Sequence, residues 1–562
     1  MRESPLISVV VLNYNGRQHL EACFRSLQKL DYPQERLELI LVDNASTDGS
    51  IGFMAKHFPE VRIIQNQSNV GFAKGNNIGA EAARGEYVAF LNNDTRVDEA
   101  WARELVRPTL RDKSVVCAAS KIVDWEGKVI DFVKGVMNFY GHGHQKGLGR
   151  KNIGGEREEP ILFPCGGSML IDREVFLETG GFDEDYFIYF EDVDLGWRLW
   201  LMGCQVILVP TAITYHHQHA TMNRVFDYRK AVLYERNALY TIIKNYSQET
   251  LNKILPAAFL LAAKRMKEYM EIDGVDFTPY HITGAKTTTS DAESVSKLSL
   301  APLVALNEVI DNFPALMRKR ECVQKRRRRP DAEIFELFGQ PFRPIPPVTT
   351  EYVASQYMLA QEFGIGQLFE GLRRRVLMVS SEPLANRDES LGDDDRPWQL
   401  RQALKNRGHE VLLAAPQEAG SDWSALAGDG EPLWDNQSLV HLVQRISPDV
   451  VVACGVGGLE ELASYPVPTV FYPRNEEQVR PILPECPFDL SIDGSVEEII
   501  EPLDQFCRLP TMTREPSASQ QTRTRQTSLG ELFGEAWHHY QRGGMRTLLK
   551  ETRGVLRHRL RR

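Results

Sequence analysis

Long hydrophobic runs are missing from this chain of 562 residues. Its longest apolar stretch, Ile254 to Ala263, is ten residues and contains a proline. A membrane-spanning helix needs about twenty, so none is expected. The N-terminus, Met1-Arg2-Glu3-Ser4, runs straight into a strand-like segment. It has no apolar leader followed by a cleavage site, so a secretory signal is not expected either. Cysteine is sparse, eight in all with no C-x-x-C pair. That excludes zinc-ribbon spacing and favours buried, reduced thiols over a disulfide scaffold. Basic excess is lacking as well: 66 Lys and Arg face 76 Asp and Glu, a net charge of −10, which argues against a nucleic-acid partner. No internal repeat at a solenoid period occurs. What is present is an ordinary globular composition, 42% hydrophobic and 25% charged, on a chain long enough for at least two cores.

Over the first 210 residues short apolar runs alternate with helix-like segments. Leu6 to Leu12, Leu37 to Val42, Val61 to Ile64, Tyr87 to Leu91 and Val115 to Ala119 read as strands. That rhythm predicts βαβ units with a sheet buried on both faces. From 226 to 372 the pattern predicts helices, one from Tyr228 to Arg265 interrupted at Pro256, with a polar linker over 272–300 and a basic run, Lys325 to Arg329. A second, smaller Rossmann-like α/β unit is expected over 373–510, with strands at Val376 to Val379, Glu410 to Ala415, Asp449 to Ala453 and Thr469 to Tyr472. Residues 511–562 read as a polar linker and a basic helical tail. Eight Lys or Arg and one Glu lie between Arg542 and Arg562, a composition suited to an anionic membrane surface.

In α/β sheets ligands sit at the carboxyl ends of strands, so the polar residues there are the candidates. Asp43 follows one strand and opens LVDNASTDGS, where a carboxylate can accept hydrogen bonds from a nucleobase or ribose. Asp48, in the same loop, stands equally well as a helix cap. NVGFAKGNN supplies glycines that let backbone approach a ligand, and Lys74 for a phosphate. Tyr87 to Leu91 ends in Asn92-Asn93-Asp94, and Asp94 is placed to ligate a divalent cation against a diphosphate leaving group. Gly166-Gly167 permits close approach of an acceptor. Glu191, Asp192 and Asp194 are three carboxylates within four residues, a cluster that favours catalytic use, with one as general base. Arg198, at i+4 from Asp194, is spaced to pair with it on a helix. His216 follows a strand and suits a metal site.

Taken in order, NYNG after the first strand, LVDNASTDGS, NVGFAKGNN, FLNND, CGGSML, GGFDE, FEDVDLGWR and YHH resemble glycosyltransferase family 2 of the GT-A fold, most closely its rhamnosyltransferase-like, non-processive members. The resemblance spans about residues 5–245. It implies a GT-A catalytic domain with a Rossmann-like mixed sheet over 1–225. It also implies an inverting transfer from a nucleotide-diphosphate sugar to a hydroxyl of a glycan or lipid-linked acceptor in cell-envelope polysaccharide synthesis. Residue by residue, it implies donor binding at Asn13, Asp43, Asp48, Asn69, Gly71, Lys74, Asn76, Asn92 and Asn93, and acceptor binding at Gly166, Gly167 and Arg198. Mg²⁺ or Mn²⁺ falls to Asp94 and His216, and the base to Asp192, flanked by Glu191 and Asp194. Asn92 stands where the family's metal motif has its first Asp. The 373–510 unit resembles the amino-terminal half of a GT-B glycosyltransferase, without a second Rossmann domain to complete it. A cytoplasmic enzyme, in peripheral contact with the inner face of the membrane, follows from the family. The rival readings are a catalytically inactive nucleotide- or partner-binding scaffold and a nucleotidyltransferase.

Overall fold

The computed structural model describes residues 4–146, 148–149, 152, 157–217, 228–272, 296–346, 348–369, 375–380, 403–404 and seven strands between 375 and 491. Most of the 272–300 linker and the basic tail lie outside the described residues. Two compact units form: residues 1–247 with 266–345, and residues 248–265 with 346–562.

The first unit is built on strands β1 (Ile7–Asn13), β2 (Leu37–Asp43), β3 (Arg62–Gln65), β4 (Tyr87–Asn92), β5 (Thr95–Val97), β6 (Val115–Asp124), β7 (Ile130–Phe132), β8 (Lys134–Met137), β9 (Gly143–Lys146), β10 (Glu159–Pro160), β11 (Ser168–Asp172) and β12 (Gln205–His216). The main sheet runs β10-β12-β6-β11-β4-β1-β2-β3. β3, β2, β1 and β4 are parallel, β11 is antiparallel to both β4 and β6, and β12 is parallel to β6. The expected parallel βαβ run therefore forms the first half of a mixed sheet. Its helices are α1 (Arg17–Leu27), α2 (Ser50–His57), α3 (Gly71–Ala82), α4 (Trp101–Arg111), α5 (Arg173–Glu178) and α6 (Glu191–Leu201). Val9, Val11, Leu41, Ala89 and Leu91 from the strands join Leu20, Phe24, Met54, Trp101 and Leu105 from the helices in one core. Burial of this kind, at about 25 cal/mol per Å² of apolar area, is the main drive to fold.

The middle helices are α7 (Tyr228–Asn245), α8 (Gln248–Ile272), α9 (Ala301–Asp311), α10 (Phe313–Arg326) and α11 (Asp331–Phe338). The expected interruption at Pro256 is corrected: Pro256 lies inside α8, and the break falls at Tyr246-Ser247, where the Ser247 N–H donates to Asp331 at 2.8 Å. That side-chain acceptor takes over an N–H which a continuous helix would satisfy internally. Helix α7 packs on α6, α9 and α10, and so bears directly on the strand-end chemistry.

In the second unit α12 (Thr350–Glu362) and α13 (Ile365–Leu368) precede β13 (Arg375–Ser380), β14 (Glu410–Pro416), β15 (Trp423–Leu426), β16 (Pro432–Gln437), β17 (Val450–Cys454), β18 (Thr469–Tyr472) and β19 (Leu490–Ser491). The order is β16-β15-β14-β13-β17-β18-β19. Five strands are parallel, and β15 and β16 add an antiparallel edge. Counting the parallel strands alone gives the doubly wound order 2-1-3-4-5. The four expected strands are all present.

Candidate active site

Register brings the predicted residues together. Asn13 stands opposite Asp43, and Leu12 opposite Asn92, so the ends of β1, β2 and β4 share one edge. At that edge Asn13 is fully buried. Its amide donates to Asp43 at 2.9 Å and to the Ser46 hydroxyl at 3.0 Å, and its oxygen accepts from Asn93 at 2.7 Å. The other Asp43 oxygen accepts from the Ser46 N–H at 2.8 Å. Asn13 thus locks the loops after β2 and β4 to each other. Asp48 is occupied differently from a ribose ligand. Its carboxylate accepts the Arg17 N–H opening α1 and the Ser50 N–H opening α2, at 2.9 and 3.0 Å. Burial works against the charge, but these donors and the Ser50 hydroxyl hold the carboxyl below its usual range. Asp48 thus ties the starts of α1 and α2 together, while the cap position of α2 itself falls to Gly49.

Further along the edge, Asn69 accepts the Gly71 N–H at 3.0 Å, and Asn76 donates to the Phe72 carbonyl at 3.0 Å. Gly71 has φ +88° and sits where a Cβ would strike Phe187, so both conformation and space require glycine. Lys74 reaches Glu184 at 3.0 Å across the surface. Gly167 packs so tightly on Asn92 that a Cβ would come within 2.7 Å of its amide nitrogen. Close approach is thus real here, but to a strand end.

The metal candidates meet through a short antiparallel ladder that pairs His216 with Thr95. The His216 Nε2 lies 3.4 Å from Asp94. Its Nδ1 is 2.6 Å from Asp131 on β7, which β6 carries alongside β12. Burial opposes a proton on His216, yet Asp131 and Asp94 outweigh it and raise the imidazole to about 10. Burial likewise opposes the Asp94 charge, and His216 more than offsets it. Asp131 was not among the expected residues. The signal was a carboxylate inside the apolar strand Ile130-Asp131-Phe132, which needs a partner once buried. A ligating histidine characteristically gives its second nitrogen to a carboxylate in this way. Among the described residues no three His, Cys, Asp or Glu side chains gather as a complete metal cage. Mg²⁺ is usually bound through one or two carboxylates plus substrate phosphates; Asp94 offers such a carboxylate, with the His216 nitrogen beside it as a second donor. The neighbouring His217 stacks on Trp125 at 3.7 Å instead.

Glu191 and Asp192 open α6. Asp192 accepts the Gly166 N–H at 2.9 Å and its neighbour's, Val193, at 2.8 Å. Burial outweighs these donors and raises its carboxyl to about 6. Glu191 is pushed well above the usual carboxylate range by burial and by Asp192 beside it, and its Oε2 has no hydrogen-bond partner. Burial raises the Cys165 thiol, and so do the charges of Asp192, Asp131 and Glu191, which places both carboxylate groups around one side chain.

Asp194 and Arg198 are the correction. They do pair, at 2.8 Å, but the pair is taken up by structural contacts. Arg198 also donates to the carbonyls of Thr179 and Gly181, at 3.0 and 2.7 Å. Asp194 is fully buried, with Lys244 at 2.9 Å and the Asn245 amide at 3.0 Å. A cavity of about 570 Å³ on this side includes Arg198, Gly181 and Lys244 but none of Asp43, Asp94, Asp192 or His216. Each nitrogen of Arg198 and both oxygens of Asp194 are engaged internally, which gives the pair a structural role in holding α6 to the Thr179–Gly181 turn.

Residues 8–180 match the family model described as glycosyl transferase family 2. Over 241 residues the chain is 29% identical to N-acetylglucosaminyl-diphospho-decaprenol L-rhamnosyltransferase of Mycobacterium tuberculosis, covering 38% of this chain and 78% of that protein. It is 26% identical over 230 residues to polypeptide N-acetylgalactosaminyltransferase 11 of Xenopus tropicalis, covering 38% of each. A solved structure of GalNAc-T7 with UDP, GalNAc and Mn²⁺ overlaps 45% of this chain and 51% of its own, at 19% identity and a TM-score of 0.38.

Proposed function

We propose, from the premise that residues 8–180 form a glycosyl transferase family 2 domain and that the protein is a glycosyltransferase, that it transfers a sugar with inversion from a nucleoside-diphosphate donor to an acceptor hydroxyl. The observation that carries this reading is Asp192: a half-buried carboxylate with a raised affinity for protons, held by the Gly166 N–H. A base poised near the working pH takes a hydroxyl proton effectively, an effect typically worth 10²- to 10⁴-fold. Asp192 accepts that proton as the acceptor oxygen attacks the anomeric carbon, and the bond to the diphosphate oxygen breaks in the same displacement. Asp94 and His216 would hold Mg²⁺ or Mn²⁺, which when bound supplies positive charge opposite the departing diphosphate. Asp131 keeps the His216 ring turned so that Nε2 faces Asp94. Asn13, Asn93 and Asp43 keep the strand ends in register for the donor.

The rhamnosyltransferase relative bears the name of a lipid-diphosphate-linked acceptor, which supports a lipid-linked or cell-envelope glycan as acceptor here. No helix among the described residues is long and apolar enough to cross a membrane. The GT-B-like unit would then bind acceptor or partner.

Calorimetric titration with UDP, dTDP and GDP, with and without Mn²⁺, tests the donor site. One nucleotide should bind in a Mn²⁺-dependent manner and lose that dependence in Asp94→Asn. Absence of nucleotide binding by folded protein would overturn the reading. Binding without turnover of any nucleotide sugar would favour the scaffold alternative, which Asn92 in the metal motif and the incomplete second unit support.

A further inference from the structure

The segment that delivers Asp192 is held in an unusual backbone. Phe187, Tyr189 and Phe190 have φ of +63°, +71° and +67°, a region that side chains other than glycine rarely adopt. No glycine relieves any of the three, and Phe190 is the residue on which α6 begins. Such a conformation persists only where the surroundings over-determine it.

Those surroundings are specific. The Asn237 amide nitrogen lies 3.1, 3.0 and 2.7 Å from the carbonyls of Tyr186, Ile188 and Tyr189, so its two protons are shared among three acceptors. Its own oxygen accepts from the Arg236 Nε at 3.0 Å. Arg236 reaches the carbonyls of Asp185 and Tyr186 at 3.0 and 3.1 Å, and is anchored by Glu308 at 2.8 Å. The intervening Phe187 carbonyl accepts the Phe72 and Ala73 N–H groups at the start of α3, at 2.6 and 3.2 Å. Every carbonyl from 185 to 189 is thereby claimed, most of them by two adjacent side chains of α7. Asn237 is fully buried, where a lost donor would strand several acceptors at once.

We infer that Asn237, braced by Arg236, is a positioning residue for the general base: it holds the 186–190 segment in the conformation that starts α6 with Asp192 against Gly166. The inference rests on the reading of Asp192 as base. Asn237→Leu keeps the volume and removes the donor. It should raise amide hydrogen exchange over 187–193 at least tenfold, with the β1–β4 strands unchanged. It should lower kcat for nucleotide release from UDP-, dTDP- or GDP-sugars at least tenfold, leaving Mn²⁺-dependent binding of the matching nucleotide within about twofold. Arg236→Lys, on a partly exposed side chain, gives the same pattern at smaller amplitude and serves if Asn237→Leu does not fold. Unchanged exchange over 187–193 in either folded variant overturns the inference, as does exchange that rises while kcat holds. If the wild type neither binds nor turns over a nucleotide sugar, the functional reading fails instead, and exchange still reports whether the two side chains hold the segment.

Discussion

Helix α6 carries acidic residues at three of its first four positions, and the structure uses them in opposite ways. Asp194 sits in a knot of opposite charges. Lys244 lies between it and Asp183 at 2.9 and 2.5 Å, Arg198 closes the other side, and Lys319 caps Asp183. Burial works against both carboxylates, and Lys244 with its companion cations overrides it and keeps them ionised. Asp192, two residues earlier, meets only backbone N–H groups, so burial prevails and its affinity for a proton rises. Two carboxylates on one turn thus become a structural anion and a carboxyl with raised affinity for a proton. Proximity in sequence tells little about which is which; Lys244, contributed by α7, together with Arg198 decides it.

The sharpest test of that division is Asp192→Asn. Turnover should fall about 10²- to 10⁴-fold, while nucleotide binding persists. Because the folded carboxyl has the higher pKa, its ionisation costs stability as pH rises through about 6. The variant should therefore be no less stable than wild type at pH 8, and the wild-type rate should fall as pH drops below about 6. Near-normal turnover in Asp192→Asn would remove the distinction altogether.

Lys244→Met tests the knot. Breaking a buried pair by removing one partner typically costs about 3–5 kcal/mol, read as a lowered denaturant midpoint. Asp183 and Asp194 have depressed pKa values in the fold, so their contribution is present above about pH 4, the unfolded carboxylate value, and is lost as pH falls. The deficit of the variant should accordingly shrink in acid, where both carboxyls can become neutral. A deficit independent of pH would show that Lys244 acts through packing alone.

Asp131→Ala addresses the cleft side more gently. Removal of such an orienting carboxylate generally weakens metal affinity 10- to 100-fold, here measured as Mn²⁺ binding in the presence of nucleotide. Asp131→Asn, whose amide oxygen still accepts the Nδ1 proton, should recover part of it. Equal affinity in all three proteins would place Asp131 outside the metal site.

Much of this was legible beforehand because it is local. Strands with apolar runs ending in Asp43 and Asn92-Asn93-Asp94 announce a sheet edge with polar residues at its carboxyl ends, and the i+4 spacing of Asp194 and Arg198 announces their pairing. That Asp48 would tie two helix starts together was not legible, since one of its donors, the Arg17 N–H, comes from a helix 31 residues earlier. Asp131 and Asn237 were hidden for a stronger reason. Each is a single polar residue in an otherwise ordinary strand or helix, and its partners lie 85 and about 50 residues away.

By itself, then, the sequence determined the alternation of strands and helices, the acidic and amide residues at the strand ends, and the ordered motifs that resemble a glycosyltransferase family, because hydrophobic period and motif order are properties of neighbouring residues. Only the tertiary structure decided which carboxylate stays charged, which takes a proton, which histidine nitrogen faces Asp94, and what holds the strained segment before Asp192. Those outcomes depend on burial and on charges and donors brought in from α7, α10 and β7, and the energy of a buried group is set by what surrounds it in space.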